Sequence, residues 1–265
     1  EIHERLVGSE MCIRDSYNAV HTPMQATDED MAKFEGHPRQ KLAAMTYALD
    51  RGVGTVIRGL KDSGKFDNTL IFFLSDNGGA TTNQSSNYPL KGFKGNKFEG
   101  GHRVPYFVVW KNGIPAGKPY DGLVSSLDIF ATAIDAASIS KTRNRLDGVS
   151  LLPYLKGKKG EPHKVLYWRK MDTRAIRSGD YKLIITHGVD SVLYNIRRDP
   201  EEMNNLINKE PDLYRKLAKK LAKWEKNECI EPSWLEEGWR KITNRYHQQL
   251  MHNEIKTAQD LYKKK

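Results

Sequence analysis

The chain has 265 residues, a formal net charge of +10 and 38% apolar residues. This length and composition suit one large globular domain, or a domain with an appendage, and exclude an intrinsically disordered protein. No apolar run approaches the roughly 20 residues that a membrane-spanning helix needs. The two cysteines, Cys12 and Cys229, are too few for a disulfide-rich scaffold or a multi-cysteine zinc cluster.

The positive charge favours polyanionic partners, such as nucleic acid, an anionic membrane or a sulfated polysaccharide, through long-range attraction. The basic residues do not form one block, however, because Lys216, Lys219 and Lys223 lie near Asp212 and Glu225. Such mixed charge is typical of a solvated helix face. Charge alone therefore does not choose a partner.

The first part of the chain predicts an α/β fold. Residues 1–16 have no clean period and are interpreted as a non-native head, which we exclude from fold reasoning. A short helical turn is predicted from Asp28, and a long helix from Pro38 on the strength of apolar residues at helical spacing. The continuous apolar run Thr69–Leu74 then predicts a strand that is covered on both faces, as in a parallel sheet.

The pattern of strand and helix continues beyond this strand. A polar, glycine-rich loop over residues 76–101 precedes a second apolar strand, Tyr106–Trp110, and a helix over about 126–137. We interpret residues 17–146 as the C-terminal part of an α/β domain with a mostly parallel sheet flanked by helices.

Shorter strands follow. Val165–Trp168 and a hairpin over residues 175–184 predict a small antiparallel subdomain with a helix over 147–208. Residues 209–265 are predicted to be a helical, polar tail. One helical face in this tail is apolar and carries Leu213, Leu217, Leu221 and Trp224.

The strongest chemical signal is Asp76-Asn77-Gly78-Gly79, which comes directly after the first apolar strand. Open α/β sheets bind ligands at the carboxyl ends of their strands. Adjacent Asp and Asn side chains offer hard oxygen ligands that suit calcium or magnesium rather than zinc, and glycines allow a sharp turn around an ion. The alternative is an ordinary Asp-Asn-Gly turn.

A second candidate is the loop Lys91–Pro105, which combines lysines with glycines. Lysines such as Lys94, held in a glycine-rich loop, can close on a tetrahedral anion. Arg103 would order the loop by pairing with a carboxylate. The alternative is a mobile basic surface loop.

A third candidate is His21, which lies two residues before Pro23. Proline fixes the local backbone and so fixes the approach of the imidazole. An isolated histidine is structural or solvated more often than catalytic. A catalytic role for His21 therefore depends on the other segments.

In order and spacing, these segments resemble the later signature segments of the formylglycine-dependent sulfatases of the alkaline-phosphatase superfamily. The resemblance covers about Tyr17 to Leu206 and is specific because many segments agree in the same order. It implies an alkaline-phosphatase-like sandwich, incomplete in this chain, with a small C-terminal antiparallel subdomain. The resembling segments are Asn18–Pro23, Leu74–Gly79, Lys94–Pro105, Ser125–Phe130, Asp147–Gly157, Ala175–Ile184, Leu193–Asn195 and Asp199–Leu206.

The resemblance also implies a chemistry. Asp76 and Asn77 would bind a calcium ion together with two Asp residues of the family's first strand. His21 and Lys94 resemble the family's histidine and lysine that contact the sulfate group and help to protonate the leaving oxygen. The implied substrate is an aryl or carbohydrate sulfate ester, so the expected partner is a sulfated small molecule or glycan and not nucleic acid. Family analogy implies a secreted, periplasmic or lysosomal-type location.

The family's nucleophile is a formylglycine made from the Cys or Ser of a Cys/Ser-x-Pro-Ser-x-Arg segment. These 265 residues contain no such segment, and Cys12, which Ile13 and Arg14 follow, does not fit it. The nucleophile and the early Asp pair are therefore expected from an N-terminal half. Because such groups act as one unit, we expect this chain alone to be inactive. We also expect it to be poorly folded, because a parallel sheet without its first strands exposes an edge and a large apolar face.

Two other functions stay open. Phosphoesterases of the same superfamily share the fold and the metal position, but they hold two metals with further His and Asp ligands, whereas the loop after Asn77 offers lysines. A non-catalytic binder of sulfated polysaccharide would show binding that weakens steeply with salt. The sequence lacks the interleaved aromatic and basic residues of a platform for single-stranded nucleic acid.

Overall fold

The computed structural model describes residues 14–83, 85–139, 145–229 and 236–263. Most of the non-native head predicted at residues 1–16 lies outside the described residues, and Cys12 lies outside them too. None of the described helices is long and apolar enough to cross a membrane. In chain order the elements are α1 (Asp28–Ala32), α2 (Gln40–Asp62), a 3-10 turn (Phe66–Asn68), β1 (Ile71–Leu74), α3 (Glu99–His102), β2 (Tyr106–Val109), α4 (Asp128–Ala136), α5 (Leu152–Leu155), β3 (Val165–Lys170), β4 (Thr173–Ser178), β5 (Tyr181–Thr186), β6 (Asp190–Asn195), α6 (Pro211–Glu228), α7 (Glu237–Met251) and α8 (Asp260–Lys263).

Tertiary contacts divide the chain into two compact units. The first contains Glu1–Phe73 and Tyr106–His163, and the second contains Leu74–Pro105 and Lys164–Lys265. The glycine-rich loop with Lys94 thus belongs to the same unit as the C-terminal strands. The domain limits proposed from the sequence, after residues 146 and 208, stay predictions.

The first unit begins with two helices held together by a charged pair. The hydroxyl of Thr27 caps α1 by accepting a hydrogen bond from the N–H of Asp30. The buried carboxylate of Asp30 accepts two hydrogen bonds from the guanidinium of Arg51 on α2, at 2.7 and 2.9 Å. Such paired, charge-assisted bonds are stronger than bonds between neutral groups, and they fix α1 against α2.

Strands β1 and β2 pair in a two-stranded sheet. Phe73 on β1 is 39% exposed, so in this chain the described residues do not cover both faces of the strand. On the neighbouring strand, Phe107 and Val109 are 58% and 43% exposed. Among the described residues only these two strands form the sheet, so the apolar side chains of its outer face lack cover.

The second unit is built on an antiparallel sheet in the order β3-β4-β5-β6. The predicted hairpin is confirmed, since Ser178 at the end of β4 pairs with Tyr181 at the start of β5. Helix α6, also predicted from its apolar stripe, packs Leu217 and Leu221 against one face of the sheet. The opposite face buries Ala175, Ile184, Val192 and Tyr194.

Helix α7 and the glycine-rich loop cover that opposite face. From α7 come Leu250 and Met251, and from the loop come Phe93 and Phe98, whose side chains are at most 4% exposed. Phe93 and Phe98 flank the stretch that carries Lys94. The core of the second unit therefore fixes this loop on both sides of the candidate lysine.

Candidate active site

Asp76 and Asn77 lie in the turn that follows β1. The N–H of Ser75 donates to the carbonyl of Pro105 at 3.3 Å, and its hydroxyl donates to the carbonyl of Asn77 at 2.8 Å. Asp76 is exposed and Asn77 is half-buried. The turn thus leaves the Asp76 carboxylate exposed to solvent and the Asn77 side chain half-buried.

Gly78 brings this turn against the glycine-rich loop. Its N–H donates to the carbonyl of Gly101 at 3.1 Å, and a Cβ on Gly78 would lie 1.8 Å from the carbonyl oxygen of Gly100. No side chain fits at such a distance, so the close approach of two backbones requires glycine here.

Gly78→Ala is expected to lower the free energy of unfolding by about 1–3 kcal/mol, because the two loops must separate to admit the methyl group. Chemical denaturation followed by circular dichroism measures the change. Gly238→Ala is the matched control, since nothing lies within 4 Å of a Cβ at that position. Equal denaturation midpoints for the two variants would contradict the tight contact.

Lys94 is joined to the turn at Asp76 through the backbone. Its N–H donates to the carbonyl of Gly79 at 3.0 Å. The side chain of Asn87 accepts a hydrogen bond from the N–H of Gly79 at 2.8 Å and donates to the carbonyl of Gly92 at 3.1 Å. The structure therefore brings the lysine loop and the Asp-Asn turn together in one unit, with the Lys94 side chain exposed.

Buried charges hold the far end of the same loop. The ammonium of Lys182 on β5 donates to Glu99 on α3 at 2.8 Å and lies 3.0 Å from Glu202 in an ion pair. The other oxygen of Glu202 accepts a hydrogen bond from the N–H of Glu99 at 2.6 Å. All three side chains are at most 4% exposed. Lys182 and Glu202 have no local sequence signal, because their partners are distant in sequence.

The two carboxylates respond differently to the one ammonium. Burial by itself would raise the pKa of Glu99, but the charges around it, led by Lys182, outweigh burial and hold that pKa below its ordinary value. Burial is the stronger influence at Glu202, so the pKa of that carboxyl is raised. The pKa values of the two carboxyl groups therefore differ because of where each group lies in the cluster.

Arginines contribute to Glu99 from two sides. Arg177 lies 3.5 Å from Glu99 and is mostly buried, whereas Arg103 lies 3.6 Å away and is 58% exposed. The pairing predicted for Arg103 is confirmed, although solvent screening makes such an exposed pair weak. The principal partner of Glu99 is Lys182.

Lys91 ties the start of the loop to the same region. It is fully buried, and its ammonium donates to the carbonyl of Glu202 at 3.0 Å and to the side chain of Asn253. Burial lowers the pKa of Lys91 to about 8. Both ends of the loop that carries Lys94 thus depend on the segment around Glu202.

His21 belongs to the first unit, whereas Asp76, Asn77 and Lys94 belong to the second. The Nδ1 of His21 lies 2.7 Å from the carbonyl of Thr22. Because a carbonyl only accepts hydrogen bonds, Nδ1 carries the proton in this contact, and Nε2 is the nitrogen that can exchange one. The roles of all four residues stay predictions.

The oxygen donors at Asp76 and Asn77 fit part of a calcium site. Calcium takes six to eight oxygen ligands, so two adjacent donors are a partial set. In the ranges that the structure describes, no group of three or more His, Cys, Asp and Glu residues could hold a metal ion. Further ligands would have to come from elsewhere.

Two family models match the chain. The sulfatase model matches residues 15–139, and the model described as N-sulphoglucosamine sulphohydrolase, C-terminal, matches residues 94–227. Both matches include Lys94 and the whole of α4. Together they extend from the segment with His21 to the end of α6, with one residue of α6 left out.

Curated relatives and a solved structure agree with the models. The uncharacterized sulfatase YdeN of Escherichia coli (strain K12) is 41% identical over 160 residues, which are 58% of this chain and 28% of the relative. N-acetylgalactosamine-6-sulfatase of Canis lupus familiaris is 32% identical over 170 residues, which are 62% of this chain and 32% of the relative. The crystal structure of Ps i-CgsB in complex with k-i-k-neocarrahexaose matches with a TM-score of 0.76 and 36% identity, over 87% of this chain and 53% of that one.

This chain therefore spans less than a third of the two curated relatives and about half of the solved structure. Its structural neighbours have the alkaline-phosphatase-like fold, which confirms the predicted fold class. The ordered match of two family models and of these relatives leads to one conclusion: the chain belongs to the sulfatase family.

Proposed function

We propose that this chain forms part of the active site of an enzyme that hydrolyses sulfate esters of a carbohydrate or an aryl alcohol. The observation that carries the proposal is the backbone bond from Lys94 to Gly79 at 3.0 Å. It joins a lysine-bearing loop to the turn with Asp76 and Asn77, in a chain of the sulfatase family. A cation and hard oxygen ligands are the groups that a sulfate ester site needs.

In this proposal Asp76 and Asn77 hold a calcium ion as two of its oxygen ligands. When bound, the ion supplies positive charge that stabilises the negative charge of the reacting sulfate group. The Lys94 ammonium acts on the same group as a point charge. His21, its Nδ1 proton directed to the carbonyl of Thr22, donates a proton to the leaving oxygen from Nε2 in its protonated form.

The formylglycine nucleophile and the other calcium ligands would come from sulfatase sequence outside these 265 residues. The chain covers only 53% of Ps i-CgsB and 28% of YdeN. It also contains no Cys/Ser-x-Pro-Ser-x-Arg segment. The 265 residues alone are therefore expected to be inactive.

The names of the relatives support a sulfated glycan as the substrate class. One relative is an N-acetylgalactosamine-6-sulfatase, and the solved structure contains k-i-k-neocarrahexaose. Both names point to saccharides. We therefore propose a sulfated saccharide as the partner of this chain.

The test is to express the complete gene product and measure hydrolysis of 4-nitrophenyl sulfate and release of sulfate from sulfated oligosaccharides. We expect activity that a calcium chelator abolishes and added calcium restores. 4-Nitrophenyl phosphate serves as the matched ester. Hydrolysis of the phosphate ester alone would assign a phosphoesterase, and saturable binding of the oligosaccharide without hydrolysis would assign a non-catalytic binder; either result would refute the proposal.

A further inference from the structure

A second lysine approaches the loop next to Lys94. Lys170 is the last residue of β3, and its Nζ lies 2.8 Å from the position that a Cβ on Gly95 would occupy. Gly95 has a φ of +96°, a conformation that favours glycine, and the absence of a side chain leaves room for the ammonium group. Strand β3 thus places the ammonium group of Lys170 beside Gly95, the residue that follows Lys94.

A third lysine, Lys97, lies in the same loop, two residues after Gly95. Burial is the main cause that lowers the pKa of Lys97 to about 8, and the charges of Lys170 and Lys182 add to it. Burial also lowers the pKa of Lys170, with a further contribution from Lys94. The positive charges of these neighbouring lysines therefore add to the effect of burial in disfavouring the charged forms of Lys97 and Lys170.

No acidic partner balances two of these charges. In the part of the chain that the structure describes, the ammonium groups of Lys97 and Lys170 form no ion pair and no hydrogen bond. By contrast, the buried Lys91 donates hydrogen bonds to the carbonyl of Glu202 and to Asn253, and the buried Lys182 forms ion pairs with Glu99 and Glu202. Two partly buried cations without a carboxylate are costly for the fold, and an oxyanion bound between them would offset this cost.

A buried histidine lies in reach of the same charges. His247 on α7 is fully buried, and its Nδ1 donates to the carbonyl of Thr243 at 2.8 Å. Its Nε2 has no hydrogen-bond partner among the described residues. Burial lowers the pKa of His247 to about 4, and Lys97 and Lys170 contribute to the shift. With Nδ1 as the donor, Nε2 of the neutral ring is an acceptor, so His247 adds an unsatisfied buried polar atom near these lysines but no donor to an anion.

We propose that Lys97 and Lys170 form a binding site, beside Lys94, for a second sulfate group of the substrate. Ammonium groups bind sulfate as point charges and need no fixed planar geometry. The inference rests on the proposed function and narrows it, because the substrate becomes a saccharide with at least two sulfate groups. It also gives the C-terminal sheet a part in substrate selection through β3.

The test uses the complete gene product in calcium chelator, which prevents turnover, and two disaccharides that differ by one sulfate group. Isothermal titration calorimetry gives the affinities. We expect Lys170→Met and Lys97→Met each to weaken binding of the disulfated sugar about tenfold and to leave binding of the monosulfated sugar unchanged, as for the loss of one hydrogen bond to a charged group.

Two further variants make the result decisive. Lys170→Arg keeps the charge and should retain most of the affinity, and Lys219→Met removes one exposed lysine of α6 and should change neither affinity. Thermal melts confirm that each variant is folded. Equal weakening for both sugars, or no weakening, would refute the second site. Because binding is measured without hydrolysis, this failure is distinct from a failure of the proposed function.

Discussion

Lys182→Met is expected to lower the free energy of unfolding by about 3–5 kcal/mol, the typical cost of removing one partner from a buried ion pair. The side chain of Lys182 is fully buried between Glu99 and Glu202, at 2.8 and 3.0 Å. Methionine fills a similar volume but carries no charge. Two buried carboxyl groups would then lose the ammonium that balances them.

Urea denaturation of the complete gene product measures this loss. The control is Lys219→Met, the same substitution at an exposed position of α6. The triple variant Lys182→Met, Glu99→Gln and Glu202→Gln should recover part of the stability, because it removes the uncompensated charges along with their partner. A loss below about 1 kcal/mol for Lys182→Met, a value typical of an exposed pair, would show that the cluster is solvated.

The loss should also reach the candidate site. Glu99 is the first residue of α3 and ends the loop that carries Lys94, and Glu202 accepts the N–H of Glu99. A change in this cluster therefore alters the position of the loop as well as the stability of the core. The sheet that begins at β3 and the candidate lysine are parts of one folding unit.

Elements with a strong local pattern could be predicted from the sequence. Helix α2 has an apolar stripe at helical spacing, and β1 and β2 are short apolar runs. The turn of the β4–β5 hairpin has Gly179 at a φ of +56°, as a glycine in a tight turn allows. In each of these cases the pattern of neighbouring residues was sufficient to predict the element.

The burial of elements that depend on distant contacts could not be predicted. Strand β6 begins with Asp190 and Ser191, and helix α7 has a polar sequence, yet Leu193 and Leu250 are fully buried. Strand β6 is stabilised by pairing with β5 in the sheet, and helix α7 is stabilised by packing on one face of that sheet. The exposure of Phe73 likewise depends on which strands adjoin β1 and not on the residues of β1 itself.

The residues of the candidate site also differ in how far the sequence alone could indicate them. The spacing of Asp76, Asn77 and Lys94 predicted that they act together, and the bond from Lys94 to Gly79 joins their loops. Lys182 has no such signal, because a lysine on a strand is normally exposed and its partners lie 83 and 20 positions away, at Glu99 and Glu202. The sequence indicated the candidate residues, and the fold showed which contacts hold their loops in place.

Lys94→Met is expected to lower kcat/KM for sulfate ester hydrolysis by about 10²- to 10⁴-fold, the range for removal of a proton-transfer or charge-stabilising group. The Lys94 side chain is exposed, so the substitution should leave the denaturation midpoint unchanged. Lys94→Met is thus expected to lower activity without lowering stability, whereas Lys182→Met is expected to lower both.

Steady-state kinetics on 4-nitrophenyl sulfate with the complete gene product gives the effect of Lys94→Met. Lys118→Met, at an exposed position of the first unit, is the control for loss of one positive charge. Lys94→Arg should retain part of the activity, because a cation remains near the sulfate group even though its shape differs. A value of kcat/KM close to that of the unmodified enzyme would show that Lys94 is not part of the active site. It would also contradict the proposed function, which depends on the contact between the glycine-rich loop and the turn at Asp76.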